Sequence, residues 1–335
     1  MKPTSLLTPS ALAAWALALS LAPAAAASGS SLSALDAKAR AAAAAATASS
    51  HANACADARP FYWEIGDARL PLARGSVRDP DTTSVVSDRT PMLWASATKW
   101  IYGAYVVQRK AGQLTHTDIQ MLTMRSGFAN LSSCRSDQTV DSCLAYRDNG
   151  AYRAELDGRF AYDGGHMQVH ASMNGLGAMT GPALASEMRR QLGNDIGLAF
   201  TQPQLAGGAA GTPASYARFL RKLLDGRLVM GTMLGRNAVC AGGGAAAGGC
   251  DQSEVARSPA PGDETPHYAL GHWVEDDPRI GDGAFSSPGA FGLYPWIDAS
   301  RTYYGMVARQ TPDGGYGSLQ CGRLIRQAWS DGQPR

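Results

Sequence analysis

Hydrophobic and polar positions change their spacing twice along this chain of 335 residues. Ser28 to Ala58 is rich in alanine. Leu32, Leu35 and Ala39 would share one side of a helix there, or the stretch is a loose linker; Pro60 ends it either way. From Phe61 to Leu72 the pattern alternates imperfectly and carries aromatics. It reads as one strand, or as a strand and turn leading into another near Gly75. Arg78 to Thr90 is polar, and Asp79-Pro80-Asp81 marks a loop.

The period then becomes helical. Ile101, Ala104, Tyr105 and Gln108 recur at helical spacing within Ser96 to Arg109, and Gly112 stops the run. Ile119 to Arg125, Met167 to Asn174 and Pro182 to Leu192 read as further helices. Another starts at Thr212-Pro213, an N-cap followed by proline at the first helical position, and reaches about Leu224. Ser126 to Gly150 reads as loop, and Gly242 to Gly249 is low-complexity. Beyond that, alternation returns. His267 to Val274, Gly289 to Ile297 and Thr302 to Arg309 read as strands separated by turn signals, and Ser318 to Trp329 as a last helix. Strands, a long helical block, strands again and a helix imply an α+β fold: an antiparallel sheet flanked by helices, with an inserted all-helical lobe. Residues 59–335 are expected to form one domain, its sheet lobe made by 59–95 plus 265–335 and its helical lobe by 96–264.

Composition narrows the setting. The chain is 45% hydrophobic and 17% charged, and its net charge of +2 implies neither a nucleic-acid nor an anionic-membrane partner. Residues 1–27 read as a signal peptide: Lys2 is the basic start, Ala11 to Leu21 the apolar core, and Ala24 to Ser28 the small residues of a cleavage site. That core is too short for a membrane span, so the mature protein is expected in a periplasm or beyond, without a stable anchor. The six cysteines, Cys55, Cys134, Cys143, Cys240, Cys250 and Cys321, favour disulfides in an exported chain. Many connectivities are open. The pairs Cys134–Cys143 and Cys240–Cys250 would close short loops, leaving Cys55 with Cys321. There is no C-x-x-C, and the one H-x-x-x-H (His166, His170) has no cysteine nearby in sequence, so no metal is expected.

Candidate chemistry lies in Ser96-Ala97-Thr98-Lys99. On a helix, positions i and i+3 share a face, which sets an oxygen nucleophile beside an amine. The chain has five lysines against twenty-five arginines. It keeps Lys99 among Trp94, Ala95, Ala97, Trp100 and Ile101, an apolar setting in which a lysine, unlike an arginine, can give up its proton.

In this order the chain resembles the serine β-lactamase-like and penicillin-binding-protein-like hydrolases, with class C β-lactamases and related esterases the nearest subgroup. Ser96-x-x-Lys99 is similar to the family's Ser-x-x-Lys. Leu122-Thr123-Met124-Arg125-Ser126-Gly127-Phe128 is similar to its Leu-Leu-Thr-His-Thr-Ser-Gly-Leu. Phe160-Ala161-Tyr162-Asp163-Gly164-Gly165 resembles the Tyr-x-Asn region, without the Asn. Ala206-Gly207-Gly208 through Thr212, Ala217, Arg218 and Phe219 resembles its Gly-Gly…Leu-Ala-Arg-Phe helix. Ser287-Pro288-Gly289-Ala290-Phe291-Gly292 stands where Lys-Thr-Gly or His-x-Gly would, without the cation.

The resemblance implies catalysis by Ser96, Lys99 and Tyr162, with Lys99 and Tyr162 sharing the proton transfer. It also implies an oxyanion hole made by the backbone N–H groups of Ser96 and Ala290. Ser287, Gly289 and Asp163 would then bind substrate, and Pro288 would need an edge strand. Ser136-Asp137-Gln138 is a superficial Ser-Asp-Asn. Tyr146 and Tyr152 compete with Tyr162. Trp94, Trp100, Tyr294 and Trp296 would line an acyl pocket or pack the core. The expectation is an exported serine hydrolase with no cofactor, acting on a small-molecule or peptide-like ester or amide. The rivals are a β-lactamase or D,D-peptidase and a catalytically silent binding protein on the same fold.

Overall fold

The computed structural model describes residues 29–242 and 251–335. The leader read over residues 1–27, and the Cys250 half of the expected Cys240–Cys250 pair, lie outside the described residues. The alanine-rich segment is a helix, α1 (Gly29–Ser49), rather than a linker. The next segment is a hairpin of β1 (Phe61–Gly66) and β2 (Pro71–Val77). β3 (Met92–Leu93) leads into a tight 3₁₀ turn at Ala95–Ala97 and then α2 (Thr98–Arg109).

Next come α3 (His116–Leu122), α4 (Val140–Leu144), β4 (Phe160–Ala161), α5 (Gly165–Ala171) and α6 (Gly181–Leu192). They are followed by β5 (Leu198–Phe200), β6 (Ala209–Gly211), α7 (Pro213–Leu224) and α8 (Met230–Met233), then β7 (Val239–Cys240) and β8 (Val255–Arg257). The chain closes with β9 (His267–Ala269), β10 (His272–Glu275), β11 (Ala284–Ser286), β12 (Tyr294–Ile297), β13 (Tyr304–Ala308) and α9 (Gly315–Asp331).

Eight strands form one antiparallel sheet in the order β2-β1-β13-β12-β11-β10-β9-β7. Alternation along β1 divides two cores. Phe61, Trp63 and Ile65 pack with Ala44 and Ala48 of α1 and Ile325 and Trp329 of α9, while Tyr62 joins the core of the helical lobe. The fold is therefore α+β, with helices on both faces of the sheet. Disulfides join Cys55 to Cys321 and Cys134 to Cys143, as the spacing suggested.

Several boundaries differ from the sequence reading. His267 to Val274 is a hairpin rather than one strand, because Gly271 turns the chain at φ 87°. The strand expected from Gly289 begins only at Tyr294. β11 pairs on both sides, with β10 and β12, so it is not an edge; Pro288 lies past its end, where no ladder donor is needed. The helical lobe also contains strand: β3, β6 and β5 form a small sheet, and β4 pairs with β8. β7, from within 96–264, joins the large sheet. Strands of two or three residues carry too little alternation to be read from pattern.

α2 is buried along Thr98 to Val107 and meets the β9–β10 turn through glycine. A Cβ at Gly103 would lie 2.2 Å from the Leu270 carbonyl oxygen, and one at Gly271 would lie 2.5 Å from that of Lys99. No side chain fits between these backbones. Gly103→Ala is expected to destabilise the fold by about 1–3 kcal/mol, read as a fall in Tm; an unchanged Tm would show that the two elements are not in contact.

Two buried histidines tie elements of the helical lobe together. His166 Nε2 donates to the Ala161 carbonyl at 2.9 Å, so its neutral Nδ1 accepts from the Ser126 hydroxyl at 2.7 Å. His170 Nε2 donates to Asp118 at 2.8 Å, and its Nδ1 accepts from Tyr102 at 3.1 Å. Burial pushes the His166 imidazole down to about 4 and that of His272 to about 3. These values lie below the unfolded value of about 6.5, so the unfolded chain binds more protons between them. This contribution to stability is full above pH 6.5 and is lost as pH falls toward 4. The denaturation midpoint should therefore drop between pH 7 and 5, and less steeply in His166→Gln; an equal slope in the two proteins would contradict the assignment.

Candidate active site

Ser96 lies in the 3₁₀ turn that opens α2, and Ala95 before it adopts φ 45°. Left-handed backbone is costly for alanine and persists only where surrounding structure imposes it. Here the Trp94 N–H bonds the Ala209 carbonyl of β6 at 2.9 Å, and the Ala97 N–H bonds back to Trp94 at 3.0 Å. The turn is thus pinned between the small sheet and the first turn of α2. Lys99, 5% exposed, follows one turn later. Its Nζ lies 3.0 Å from Ser96 Oγ and donates to the Ala206 carbonyl at 2.8 Å. The expected nucleophile and base are therefore in hydrogen-bond contact.

Tyr162 reaches the same point from β4. Its backbone N–H bonds the Arg257 carbonyl of β8 at 2.9 Å, and the neighbouring Ala161 is held by His166. Its ring stacks on Trp273 with centroids 5.5 Å apart and places its face 4.7 Å from Lys99 Nζ. Lys99 and Tyr162 thus meet through the aromatic face rather than through the phenol oxygen. Among the described residues the Tyr162 hydroxyl has no hydrogen-bond partner. The backbone N–H groups of Ser96 and Ala290 likewise donate to nothing among the described residues, as an oxyanion hole requires.

The residues expected to bind substrate also make contacts within the protein. Ser287 Oγ donates to the Ser96 carbonyl at 3.1 Å, so it holds the Ser96 backbone. Gly289 lines the cavity beside Ser96, and a Cβ there would lie 2.3 Å from the Trp94 carbonyl oxygen, so the missing side chain also lets the β11–β12 connection press against the Ser96 turn. Asp163 accepts from the Gly165 N–H at 2.9 Å and pairs with Arg257 at 2.8 Å. Burial raises its pKa against these partners, and it does not line the cavity.

That cavity, about 290 Å³, opens beside Ser96 and Tyr162. Its walls include Pro261, Pro266, Trp273, Pro288, Ala290 and Leu319. Trp94, Trp100, Tyr294 and Trp296 do not line it and are core residues. Nor do Tyr146 and Tyr152, the competitors of Tyr162. Ser136-Asp137-Gln138 closes its own loop, with Gln138 accepting from the Arg135 N–H at 2.6 Å.

The sequence reading missed Trp273 and an ionised group on the wall: Glu264, Glu275 and Arg323. Burial pushes the Glu275 carboxyl up, but Arg326 and Arg323 outweigh it and bring it to about 2. The available signal was the pair Arg323 and Arg326, one turn apart on a helix that otherwise packs Leu319, Ile325 and Trp329 into the core.

No protein-family model and no curated protein matches the chain. Solved structures do. A putative β-lactamase from Bacteroides dorei superposes with a TM-score of 0.59 at 20% identity, over 81% of this chain and 93% of that one. A mutant of simvastatin synthase from Aspergillus terreus gives 0.58 at 14% identity, over 92% and 99%. A penicillin-binding protein from Bacillus halodurans gives 0.55 at 12%, over 79% and 97%. With its large antiparallel sheet, its inserted helical lobe and a Ser-x-x-Lys helix between them, the chain has the serine β-lactamase/transpeptidase-like fold.

Proposed function

We propose that the protein is an exported serine hydrolase that cleaves an ester or amide through an acyl-enzyme on Ser96. The observation that carries this reading is the 3.0 Å contact between Lys99 Nζ and Ser96 Oγ, buried on one side and open to a cavity on the other. A serine hydroxyl needs an adjacent base. A neutral Lys99 amine accepts the hydroxyl proton as Oγ attacks the substrate carbonyl carbon, and the carbonyl oxygen takes up the negative charge. The Ser96 and Ala290 N–H groups face that charge.

The Tyr162 ring face stabilises the ammonium that the transfer creates. The leaving group then departs with the proton returned from Lys99; relay through the Tyr162 hydroxyl would first need its phenol oxygen, rather than its ring face, to turn to Lys99. Water repeats the sequence to release the acid and restore Ser96. Export is supported by the leader-like first 27 residues and by the two disulfides.

Two of the similar structures are a putative β-lactamase and a penicillin-binding protein. The residues argue against that specificity here. Ser287 stands where the resemblance places a cation, and its hydroxyl is turned onto the Ser96 backbone. The cavity's guanidinium, Arg323, is held by two glutamates.

A fluorophosphonate should add to Ser96, and the adduct should vanish in Ser96→Ala; absence of an adduct on the intact protein would sink the hydrolase reading and favour a silent binding protein. Lys99→Met should slow acylation by about 10²–10⁴-fold without unfolding the chain, measured by stopped-flow with p-nitrophenyl esters.

A further inference from the structure

Part of the cavity wall beside Ser96 consists of ionised side chains that the acyl-transfer steps do not use. Arg323 donates through Nη1 and Nη2 to the two oxygens of Glu264, each at 2.9 Å, and through Nε to Glu275 at 2.9 Å. Glu275 also accepts from Arg326 at 2.8 Å and from the Tyr294 hydroxyl at 2.6 Å. Arg326 is shared with Asp282, at 2.7 and 3.0 Å. Three carboxylates thus face two guanidiniums, and one negative charge is left over.

Each Glu264 oxygen takes one hydrogen bond from Arg323 and has a second acceptor site free. A separate observation points the same way. Ser286, fully buried, lines this cavity, and its hydroxyl has no hydrogen-bond partner. It lies near enough to Glu275 to favour the ionised carboxylate but does not meet it in bonding geometry. Lys99 lies behind Ser96 and does not line the cavity, and among the described residues Arg323 is the one cationic side chain that does. The remaining wall, Pro261, Pro266, Trp273 and Leu319, is apolar.

We propose that this cavity is the specificity pocket for the Ser96 reaction and that it takes a cationic group: an ammonium on an apolar stem, received by Glu264 and Ser286. The inference rests on the serine-hydrolase reading above and adds its substrate class. The ammonium donates to the free sites on Glu264 while the stem lies against Trp273 and the prolines. A carboxylate in the same place would meet Arg323 with three of its N–H groups already committed and with net negative charge around it.

Benzylammonium, benzyl alcohol and benzoate differ in charge at nearly constant shape. Each is titrated by NMR into the full chain and tested for protection of Ser96 from fluorophosphonate labelling. Benzylammonium should bind about tenfold more tightly than benzyl alcohol, with benzoate weakest, and should protect Ser96. Glu264→Gln should erase the cation's advantage, and Glu264→Asp, which keeps the charge, should retain it. The intact protein alone can overturn the proposal, by binding benzoate as tightly as benzylammonium or by showing no protection of Ser96 by bound benzylammonium. A preference unchanged in Glu264→Gln would overturn it too. The two readings fail separately: phosphonate labelling without charge selectivity overturns this inference alone. Charge-selective binding seen by NMR, with no adduct on Ser96, overturns the hydrolase reading and leaves the pocket's charge preference standing.

Discussion

Lys99 is an ionisable side chain held in the interior, and much of the molecule follows from how it is kept there. A buried amine is tolerated only when each of its polar contacts is supplied. Ala206 supplies a carbonyl, Ser96 a hydroxyl and Tyr162 a ring face. These come from three separate parts of the chain. Ala206 lies just before β6, Ser96 lies in the turn that opens α2, and Tyr162 directly follows β4. The small sheet of β3, β6 and β5 sets Ala206 over the start of α2, and the Trp94–Ala209 hydrogen bond locks the register. The Lys99 environment therefore depends on the assembly of the helical lobe.

The large sheet approaches the same point from the other side. The segment after β11 touches the Ser96 turn twice, through the Ser287 hydroxyl on the Ser96 carbonyl and through the bare backbone of Gly289 against Trp94. Gly103 and Gly271 do the same further along α2. The interface between lobe and sheet is backbone against backbone at both places. That leaves little slack for Ser96 to move and accounts for the left-handed Ala95: the turn is squeezed from both sides.

The far wall of the cavity obeys a different rule. Arg323 and Arg326 come from α9 and meet Glu275 of β10, Glu264 of the loop before β9 and Asp282 of the β10–β11 connection. Such a network is costly to bury, and an apolar wall of equal volume would serve stability as well. It lies on the cavity beside Ser96.

The short-range parts of this arrangement were legible in the sequence. Ser96 and Lys99 share a face because they lie three apart at a helix start. α7 begins at Thr212-Pro213 because the capping hydroxyl and the proline act within one turn. The alternation along β1 and β13 is likewise local. Ser287, Gly289 and Asp163 were legible as notable residues, but their partners were not. Whether Ser287 faces a substrate or the Ser96 carbonyl is a contact across 191 residues, and no local pattern encodes it. Pro288 read as an edge-strand signal because its missing donor is a local fact, whereas the pairing of β11 on both sides is not. The same holds for Trp273 and for the Glu264–Arg323 pair, 59 residues apart. Sequence alone determined which groups could do chemistry, since that depends on residue type and helical spacing. Only the tertiary structure decided which of them meet at the cavity and with what net charge, because burial and pairing are set by long-range packing.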